Sequence, residues 1–596
     1  MVALLVAVLI GGVAFYVFYI QFSGRASLTN KTILFQTHDA PTVPDSQVLV
    51  NPIDNSKIYQ SITMANPPGH YSLDGGNTWQ ASTGASGLGF GDDPGIAIGP
   101  DQTYYNIEGQ PGGQGAFTCP AVPTGCYSVQ YAGTSHDFGA HWIHNPVPYV
   151  SLVNDTNLNA TVTTWKLLDG STTTSCDDGQ GVGDYEKVAA DYNTNSPFKG
   201  NLYIIGDFAV QIGSLCVIQN GFIRSTDGGS TWDRHTIISY QPTSVGLIEH
   251  FVVGQNGQIF FSRLDGNACQ AECILFEASK DGGGTWSHAL ITDSAQIHGT
   301  LLRQAPIAMS STGQLAIAYN TCATTCSYAS PQYPHGLNGV TEVDLITSND
   351  NGATWSHYQK ISDSGAQTWW AQLPFAYDSS HCDALILCAS VFSEVGITYT
   401  SIGLAISWRD WRNSPNGTFA DMYAYIPSLS SSNIRLTPSN ERICAPINGI
   451  GWNITDNLPW YGMNYCNDFG QTGGSFITES SYAGKIFITY GLDGDNKVHC
   501  VTAGSSPFDG YTVPNAGRTI CSAGFPDSQL VTISYCTNCG LNILPRLLTE
   551  TNQLPGLETF LGAPGGSNPT GPASPGAHFM VSGNPVRLLE VSLARP

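Results

Sequence analysis

The sequence predicts an all-β fold made of many short strands joined by tight turns. Three observations support this prediction: an eight-residue motif recurs along the chain, pairs of apolar strands recur between its copies, and the composition is rich in glycine and poor in charge. Of 596 residues, 66 are glycine and only 11% are charged. Long amphipathic helices rich in Glu, Lys and Leu are not visible, so turn-bounded strands are the favoured arrangement.

The repeated motif reads Ser-x-Asp-x-Gly-x-Thr-Trp. Good copies occupy residues 72–79, 225–232, 279–286 and 348–355, and a worn copy occupies 135–142. Ser and Asp side chains can bond nearby backbone amides, glycine accepts a backbone angle that other residues avoid, and tryptophan brings a large apolar surface. Each copy therefore predicts a hairpin turn whose Asp is structural rather than catalytic. The residues concerned are Asp74, Trp79, Asp137, Trp142, Asp227, Trp232, Asp281, Trp286, Asp350 and Trp355.

These copies resemble the Asp-box, or BNR repeat, of the sialidase superfamily of β-propellers. The resemblance implies a ring of blades, and propeller blades usually have four strands each. Strand-pair units that start near residues 48, 92, 184, 249, 303, 370 and 461 predict seven blades, with six as the alternative because sialidases proper are six-bladed. Residues 406–425 are similar to the WxDxR…D-x-Y hairpin of box-less blades in this family.

The first residues predict one hydrophobic α-helix, which we place at residues 1–24. Residues 2–22 are apolar except for Gln21, and about 20 such residues suffice to cross a bilayer. The stretch predicts a membrane anchor or, because it resembles the uncharged helix of archaeal type IV pilins and archaellins, an assembly helix. The propeller is assigned to residues 25–500. A C-terminal β extension is assigned to residues 501–596, with a Gly/Pro-rich linker at 562–577.

Charge and cysteine usage indicate the partners and the compartment. A formal charge of -23 excludes nucleic acid as a partner, because binding to phosphates needs basic patches. The even number of cysteines, 16, and their close spacing predict disulfides and an extracellular location. The predicted pairs are Cys119 with Cys126, Cys269 with Cys273, Cys322 with Cys326, Cys382 with Cys388, and Cys536 with Cys539. Glycosylation sequons stand at Asn30, Asn154, Asn159, Asn416 and Asn453.

Catalytic residues are hard to assign from the sequence. The family resemblance implies that a sialidase would need three arginines, a Tyr nucleophile with a Glu partner, and an Asp acid/base; the Arg-Ile-Pro signature is absent and no arginine triad can be assembled. Acidic residues that open inner strands are candidates for a glycosidase pair or a cation site, or else they cap turns. The candidates are Asp92, Asp93, Asp184, Glu186 and Glu249, together with Arg303.

No cofactor is predicted except calcium, whose candidate ligands are Asp177, Asp178, Asp493 and Asp495. The leading interpretation is an extracellular surface or appendage protein, structural or adhesive and non-catalytic, held by its N-terminal helix in a membrane or in a pilin-like filament. The alternatives are a membrane-anchored sialidase-like glycoside hydrolase and a membrane-tethered glycan-binding propeller.

Overall fold

The computed structural model describes the backbone of somewhat more than half of the chain. The described residues are 27–37, 46–62, 69–84, 92–109, 129–176, 182–239, 250–264, 273–301, 305–322, 327–330, 333–338, 341–363, 395–410, 412, 421–437, 481–482, 484–493, 498–502, 519–523 and 526–536. Every regular element in these ranges is a β-strand, as the turn-rich composition predicted.

The strands, in chain order, are β1 (Ser27–Thr37), β2 (Ser46–Val50), β3 (Ile58–Ile62), β4 (Gly69–Ser72), β5 (Gln80–Ala81), β6 (Asp92–Ile98), β7 (Tyr104–Gly109), β8 (Val129–Gln130), β9 (Gly133–Ser135), β10 (Ile143–His144), β11 (Val150–Ser151), β12 (Thr164–Lys166), β13 (Thr172–Thr174), β14 (Gly183–Ala190), β15 (Leu202–Ile212), β16 (Leu215–Ser225), β17 (Arg234–Ile237), β18 (Phe251–Val253), β19 (Ile259–Leu264), β20 (Ile274–Ser279), β21 (Ser287–Ile291), β22 (Thr300–Leu301), β23 (Ile307–Met309), β24 (Leu315–Cys322), β25 (Ser327–Ser330), β26 (Tyr333–Asn338), β27 (Thr341–Ser348), β28 (Gln359–Lys360), β29 (Val395–Thr400), β30 (Gly403–Asp410), β31 (Asp421–Tyr425), β32 (Ile434–Arg435), β33 (Ser481–Tyr482), β34 (Lys485–Asp493), β35 (Val498–Thr502), β36 (Thr519–Ala523) and β37 (Pro526–Cys536).

Six sheets, which we call blades 1 to 6, are built from strands that follow one another along the chain. Blade 1 contains β2–β5, blade 2 contains β6, β7, β9 and β10, and blade 3 contains β14–β17 with β12 and β13 at its outer edge. Blade 4 contains β18–β21, blade 5 contains β22–β24, β27 and β28, and blade 6 contains β29–β32. Strands pair antiparallel within the blades, apart from the parallel contact of β12 with β17.

A further sheet, which we call the closing sheet, combines the two ends of the described chain. Its order is β1-β37-β34-β33, so a strand that begins at Ser27 pairs with one that ends at Cys536. The predicted propeller and the predicted C-terminal extension, divided at residue 500, both contribute strands to this sheet. Such pairing ties distant parts of the chain together and protects strand edges.

Hydrophobic clusters join each sheet to the next. Tyr59 and Trp142 join blades 1 and 2, Phe222 and Phe261 join blades 3 and 4, and Ile406 packs where blade 6 meets blade 5. The closing sheet packs against blade 6 through Ile486 and Val531 and against blade 1 through Phe487. The β-propeller predicted from the sequence is therefore confirmed. The described residues form six blades, the alternative count, and the count of seven stays a prediction.

The N-terminal prediction lies outside the described residues, which begin at Ser27. Within the described part of the chain, no helix is long and apolar enough to cross a membrane. The helix at residues 1–24 therefore stays a prediction, and so do the linker at 562–577 and the division of the chain at residue 500.

Strand alternation in blade 5 places two acidic residues of β27 on the side that faces blade 4. In β27, Val343 and Leu345 pack toward blade 6, and Ile346 packs in the cluster shared with blade 4. Because successive side chains point to opposite faces of a strand, Glu342 and Asp344 share the blade 4 side with Ile346. They lie at the start of β27, at the opposite end from the motif turn that begins at Ser348.

Candidate functional site

The five motif turns use their polar atoms internally. In the copy at 225–232, the Ser225 hydroxyl donates to Asp227 Oδ1 at 2.8 Å, and the Thr231 backbone N–H donates to the same oxygen at 2.8 Å. The Thr231 hydroxyl donates to Asp227 Oδ2 at 2.6 Å. The other copies repeat this pattern, except that the ring of His141 replaces the Thr hydroxyl in the worn copy. Burial tends to raise the pKa of each motif Asp, but these hydrogen bonds together outweigh it and hold the pKa below its usual value.

The glycine at the fifth motif position allows close packing between blades. Gly283 has a φ of 82°, and a Cβ placed there would lie 2.1 Å from the ring of Phe222 in the preceding blade. Gly352 has a φ of 85° and meets Phe276 in the same way at 2.2 Å. The motif therefore packs one blade against the preceding one, and catalytic or ligand-binding residues have to be sought outside it.

The inner-strand carboxylates do not form an open site among the described side chains. Glu186 in β14 is fully buried, and its Oε1 accepts a hydrogen bond from Tyr149, 3.3 Å away and 1% exposed. A Tyr–Glu pair is what the family resemblance implies for a nucleophile, but here Tyr149 packs in the hydrophobic cluster between blades 2 and 3. Asp92, Asp93 and Asp184 lie on strands whose side chains at these positions are not described, and Glu249 and Arg303 lie outside the described residues.

The predicted calcium ligands and glycosylation sites lie only partly among the described residues. The calcium candidates Asp177, Asp178 and Asp495 lie outside the described residues, and only the backbone of Asp493 is described. Asn159 is exposed, and its amide nitrogen donates to the carbonyl of Pro146 at 3.1 Å. Asn154 is also exposed, the side chain of Asn30 is not described, and Asn416 and Asn453 lie outside the description.

One disulfide occurs where the spacing of the cysteines predicted none. Cys176 and Cys216 are bonded across 40 residues, which ties the segment after β13 to the tip of the β15–β16 hairpin. Close spacing predicted no partner for either residue, because the two are far apart along the chain. Cys273 is also disulfide-bonded, and no free cysteine occurs in the described part of the chain.

The predicted disulfides between close neighbours are not tested by this structure. Of the predicted pairs, two have both members outside the described residues, and three have one member outside them. The cysteines outside the described residues are Cys119, Cys126, Cys269, Cys326, Cys382, Cys388 and Cys539. For Cys322 and Cys536 only the backbone is described. The pairings of Cys119 with Cys126 and of Cys382 with Cys388 therefore stay predictions, as do the other three.

The described cluster best suited to chemistry lies between blades 4 and 5, and we call it the interblade cluster. It consists of His298, Glu342, Asp344, Tyr358 and Lys360. His298 Nδ1 lies 3.5 Å from Glu342 Oε2 and 3.6 Å from Asp344 Oδ2. Lys360 forms an ion pair with the other oxygen of Glu342. The exposed fraction of the side chains increases across the cluster, from 0% for Asp344 to 9% for Glu342 and 33% for His298.

The chain segment 293–299 carries His298 across the face of blade 5. Tyr358 N–H donates to the carbonyl of Ala295 at 2.9 Å, and the Tyr319 hydroxyl donates to the carbonyl of Gln296 at 2.8 Å. The His298 ring stacks on Tyr358 with centroids 4.7 Å apart and an angle of 4° between the planes. The imidazole is therefore held in place by hydrogen bonds along its segment and by an aromatic neighbour.

Burial and like charge act together on Asp344. Loss of water contact, reinforced by the neighbouring Glu342 carboxylate, raises the pKa of Asp344 to about 7, although Lys360 opposes the shift. Neither oxygen of Asp344 accepts a hydrogen bond from any described residue, and His298 Nδ1 has no hydrogen-bond partner there either. A buried polar atom without a partner is costly and rare. The cluster is therefore suited to holding a proton or a cation.

None of the residues of the interblade cluster was predicted from the sequence as a site residue. A signal was present in the stretch T-E-V-D-L-I at 341–346, where two acids alternate with apolar residues on one face of a strand. Lys360 and His298 lie far from these acids along the chain, and only the packing of β28 and of segment 293–299 brings them together.

Two other charged networks are structural. Arg263 and Glu277 form a buried ion pair in blade 4, with Nη2 and Oε1 3.5 Å apart. In the box-less blade 6, Arg412 binds Asp410 at 2.6 Å, pairs with Asp363 of blade 5, and stacks 3.9 Å from the ring centre of Tyr423. The hairpin similar to WxDxR thus locks blades 5 and 6 together.

Comparisons with known proteins give structural similarity alone. No family model and no curated protein sequence matches the chain. The Hadza microbial sialidase Hz136 aligns with 65% of this chain and 67% of its own, at 12% identity and a TM-score of 0.35. The GH93 α-L-arabinofuranosidase of Fusarium graminearum aligns with 74% of this chain and 92% of its own, at 11% identity and a TM-score of 0.37. The hydrazine synthase of Kuenenia stuttgartiensis aligns with 67% of this chain and 97% of its own, at 9% identity and a TM-score of 0.35.

Proposed function

We propose that this protein is an extracellular β-propeller that acts on glycans, with glycoside hydrolysis at the interblade cluster as its activity. The observation that carries the proposal is the close pair formed by Asp344, whose pKa burial raises to about 7, and Glu342, which is paired with Lys360. Glycoside hydrolysis needs one carboxylic acid as proton donor and one carboxylate as nucleophile or base.

The spacing of the pair favours a retaining mechanism. One oxygen of each carboxyl group lies within 4.8 Å of the other, which is shorter than the roughly 6.5–9.5 Å that inverting glycosidases need to admit a water molecule between the two groups. In this scheme Asp344 gives its proton to the glycosidic oxygen as that bond breaks, and Glu342 bonds to the anomeric carbon. Water then attacks the same carbon and gives a proton to the Asp344 carboxylate, while the bond between that carbon and Glu342 breaks and restores the Glu342 carboxylate. Because Asp344 is 0% exposed, the sugar would have to reach it past His298, the most exposed of the three side chains.

Neutral glycosides are the substrate class we propose. A sialoside carries a carboxylate that needs free positive charge, whereas the cation at this cluster, Lys360, is already paired with Glu342. The formal charge of -23 on the whole chain also disfavours anionic sugars. If Asp344 does not transfer its proton to a bound glycan, the protein should bind glycans without hydrolysing them.

A panel of aryl glycosides tests the activity on the full-length protein in detergent. Wild type should hydrolyse at least one neutral glycoside, and Asp344→Asn should lose about 10²–10⁴-fold in rate on substrates with poor leaving groups. Glu342→Gln should lose activity on all substrates. The control is Asp169→Asn, which changes an exposed turn carboxylate in blade 3. Equal rates in all four proteins, or no turnover of any glycoside, would reject the hydrolase proposal.

We further propose that residues 2–22 hold the protein at the cell surface, as a membrane tether or as the core helix of a pilin-like filament. The supporting observation is the length of this apolar run, which cannot stay exposed to water. Shearing the cells and examining the released material by electron microscopy distinguishes the two. Filaments that contain the protein support assembly, and full retention in detergent-extractable membrane supports the tether.

We also infer that the closing sheet serves as a seventh blade. Its contacts with blade 6 and blade 1 through hydrophobic clusters support this count. An experimental map of the whole ring would decide between six and seven.

A further inference from the structure

The interblade cluster has the composition and spacing of a metal-binding site. One imidazole nitrogen and two carboxylate oxygens, from His298, Glu342 and Asp344, all lie within 4.8 Å of one another. Donors of a tetrahedral zinc site lie roughly 2.0–2.2 Å from the ion, and therefore roughly 3.3–3.6 Å from each other. The two distances from His298 Nδ1, 3.5 and 3.6 Å, fall in that range.

A second observation points independently to a missing partner. Asp344 is 0% exposed, and among the described residues neither of its oxygens accepts a hydrogen bond. His298 Nδ1, which faces both carboxylates, also has no hydrogen-bond partner there. Three potential metal-ligand atoms therefore lie close together without hydrogen bonds between them, and a bound cation would complete this arrangement.

We propose that His298 Nδ1, Glu342 Oε2 and Asp344 Oδ2 form a site for a zinc-type divalent cation. Three protein ligands leave one tetrahedral position open for water or a ligand oxygen. An imidazole ligand favours zinc and similar transition metals over calcium, which takes six to eight oxygens in most proteins. None of these three residues is among those that the sequence assigned to calcium.

The surroundings already orient the ligands. Stacking on Tyr358 fixes the His298 ring, and the Thr321 hydroxyl donates to the backbone carbonyl of His298. Lys360 occupies Oε1 of Glu342 and so leaves Oε2 for the ion. Contacts of this kind around the ligands commonly set the affinity of a metal site.

Proton and cation compete for the same place. The titratable groups that face Asp344 are Glu342 on its own strand, Lys360 on β28, Tyr319 on β24, and His298 with Tyr358 from the face of blade 5. A cation that binds the carboxylate of Asp344 must displace any proton held there. The inference does not depend on the proposed hydrolysis; if hydrolysis occurs, zinc should inhibit it by removing the proton from Asp344.

Isothermal titration of zinc into the EDTA-stripped, untagged full-length protein tests the proposal in the absence of any glycan. Wild type should bind one zinc ion. His298→Gln and Asp344→Asn should each weaken binding by about 100-fold or more, and Asp169→Asn should bind as wild type does.

Circular dichroism establishes that each variant is folded before titration. Two ligand variants are used so that the test still works if one of them misfolds. Equal zinc affinity in wild type and both ligand variants would overturn the proposal, because the ion would then bind elsewhere. No binding at millimolar zinc by folded wild type would also overturn it. Neither result depends on whether a glycoside is turned over, so the two proposals fail separately.

Discussion

Replacing Asp344 with asparagine should make the protein more stable at alkaline pH and leave it nearly unchanged in acid. Asparagine has the shape of aspartic acid but cannot ionise. The pKa of Asp344 is about 7 in the folded protein, against an ordinary value of 3.8. Below pH 3.8 both the folded and the unfolded protein hold the proton, so the ionisation of Asp344 has no effect on stability there.

Between these two values the unfolded chain has lost the proton and the folded protein has kept it. Unfolding then releases a proton, so the free energy of unfolding falls as the pH rises, and the loss is complete above about pH 7. Each pKa unit corresponds to about 1.4 kcal/mol, so a shift of about three units gives at most about 4 kcal/mol. Relaxation of the buried site and entry of water will reduce this figure.

Urea denaturation of wild type and Asp344→Asn in EDTA, at intervals from pH 4 to pH 8.5, measures the effect. The difference in midpoint between the two proteins should grow with pH and level off above neutrality. Titrating groups that do not interact with Asp344 are common to both proteins and cancel. Asp169→Asn, which alters an exposed carboxylate, should give a nearly constant difference.

A difference between wild type and Asp344→Asn that is the same at every pH would refute the reasoning, because it would mean that Asp344 titrates normally. Zinc adds an internal check at pH 8. It should raise the midpoint of wild type, whose ionised Asp344 can bind the ion, and should leave that of Asp344→Asn nearly unchanged.

Three further predictions concern the scaffold. Asp227→Ala removes the acceptor of three hydrogen bonds in a motif turn and should lower stability by about 1–3 kcal/mol without changing zinc binding, as thermal denaturation and titration would show. Trp142→Ala removes a side chain that is 2% exposed and should cost about 3–5 kcal/mol in chemical denaturation. Replacing both Cys176 and Cys216 by alanine should cost about 2–4 kcal/mol, and free-thiol titration of unreduced, denatured wild type should find close to none at these positions.

The propeller was predictable because each motif copy encodes its own turn. The hydrogen bonds around Asp227 join residues at most four positions apart, and the packing of Gly283 on Phe222 repeats from blade to blade. Local chemistry of this kind can be read from sequence. It does not reveal how blades close the ring, since β1 pairs with β37 across nearly the whole chain.

The position of Glu186 shows why candidate sites were harder to predict. The inner strand β14 carries a bulge between Asp184 and Lys187. Simple alternation along this strand therefore does not decide which side chains face the centre of the ring of blades. Both Glu186 and Lys187 are buried between neighbouring blades. A strand that is covered on both faces leaves no alternation from which an accessible carboxylate could be recognised. The disulfide of Cys176 with Cys216 was missed for a related reason, since the hairpin that brings the two together is a tertiary feature.

Two junctions between blades place a pair of carboxylates beside one cation, and they differ in how the cation is used. Between blades 5 and 6, the planar guanidinium of Arg412 bonds both Asp363 and Asp410, so a single cation satisfies two acids. Between blades 4 and 5, the ammonium group of Lys360 reaches Glu342 and leaves both oxygens of Asp344 without a donor among the described residues. The first arrangement is complete and holds the blades together. The second lacks one positive charge or one proton, and that deficit is the physical reason for placing the chemistry of this protein at the junction of blades 4 and 5.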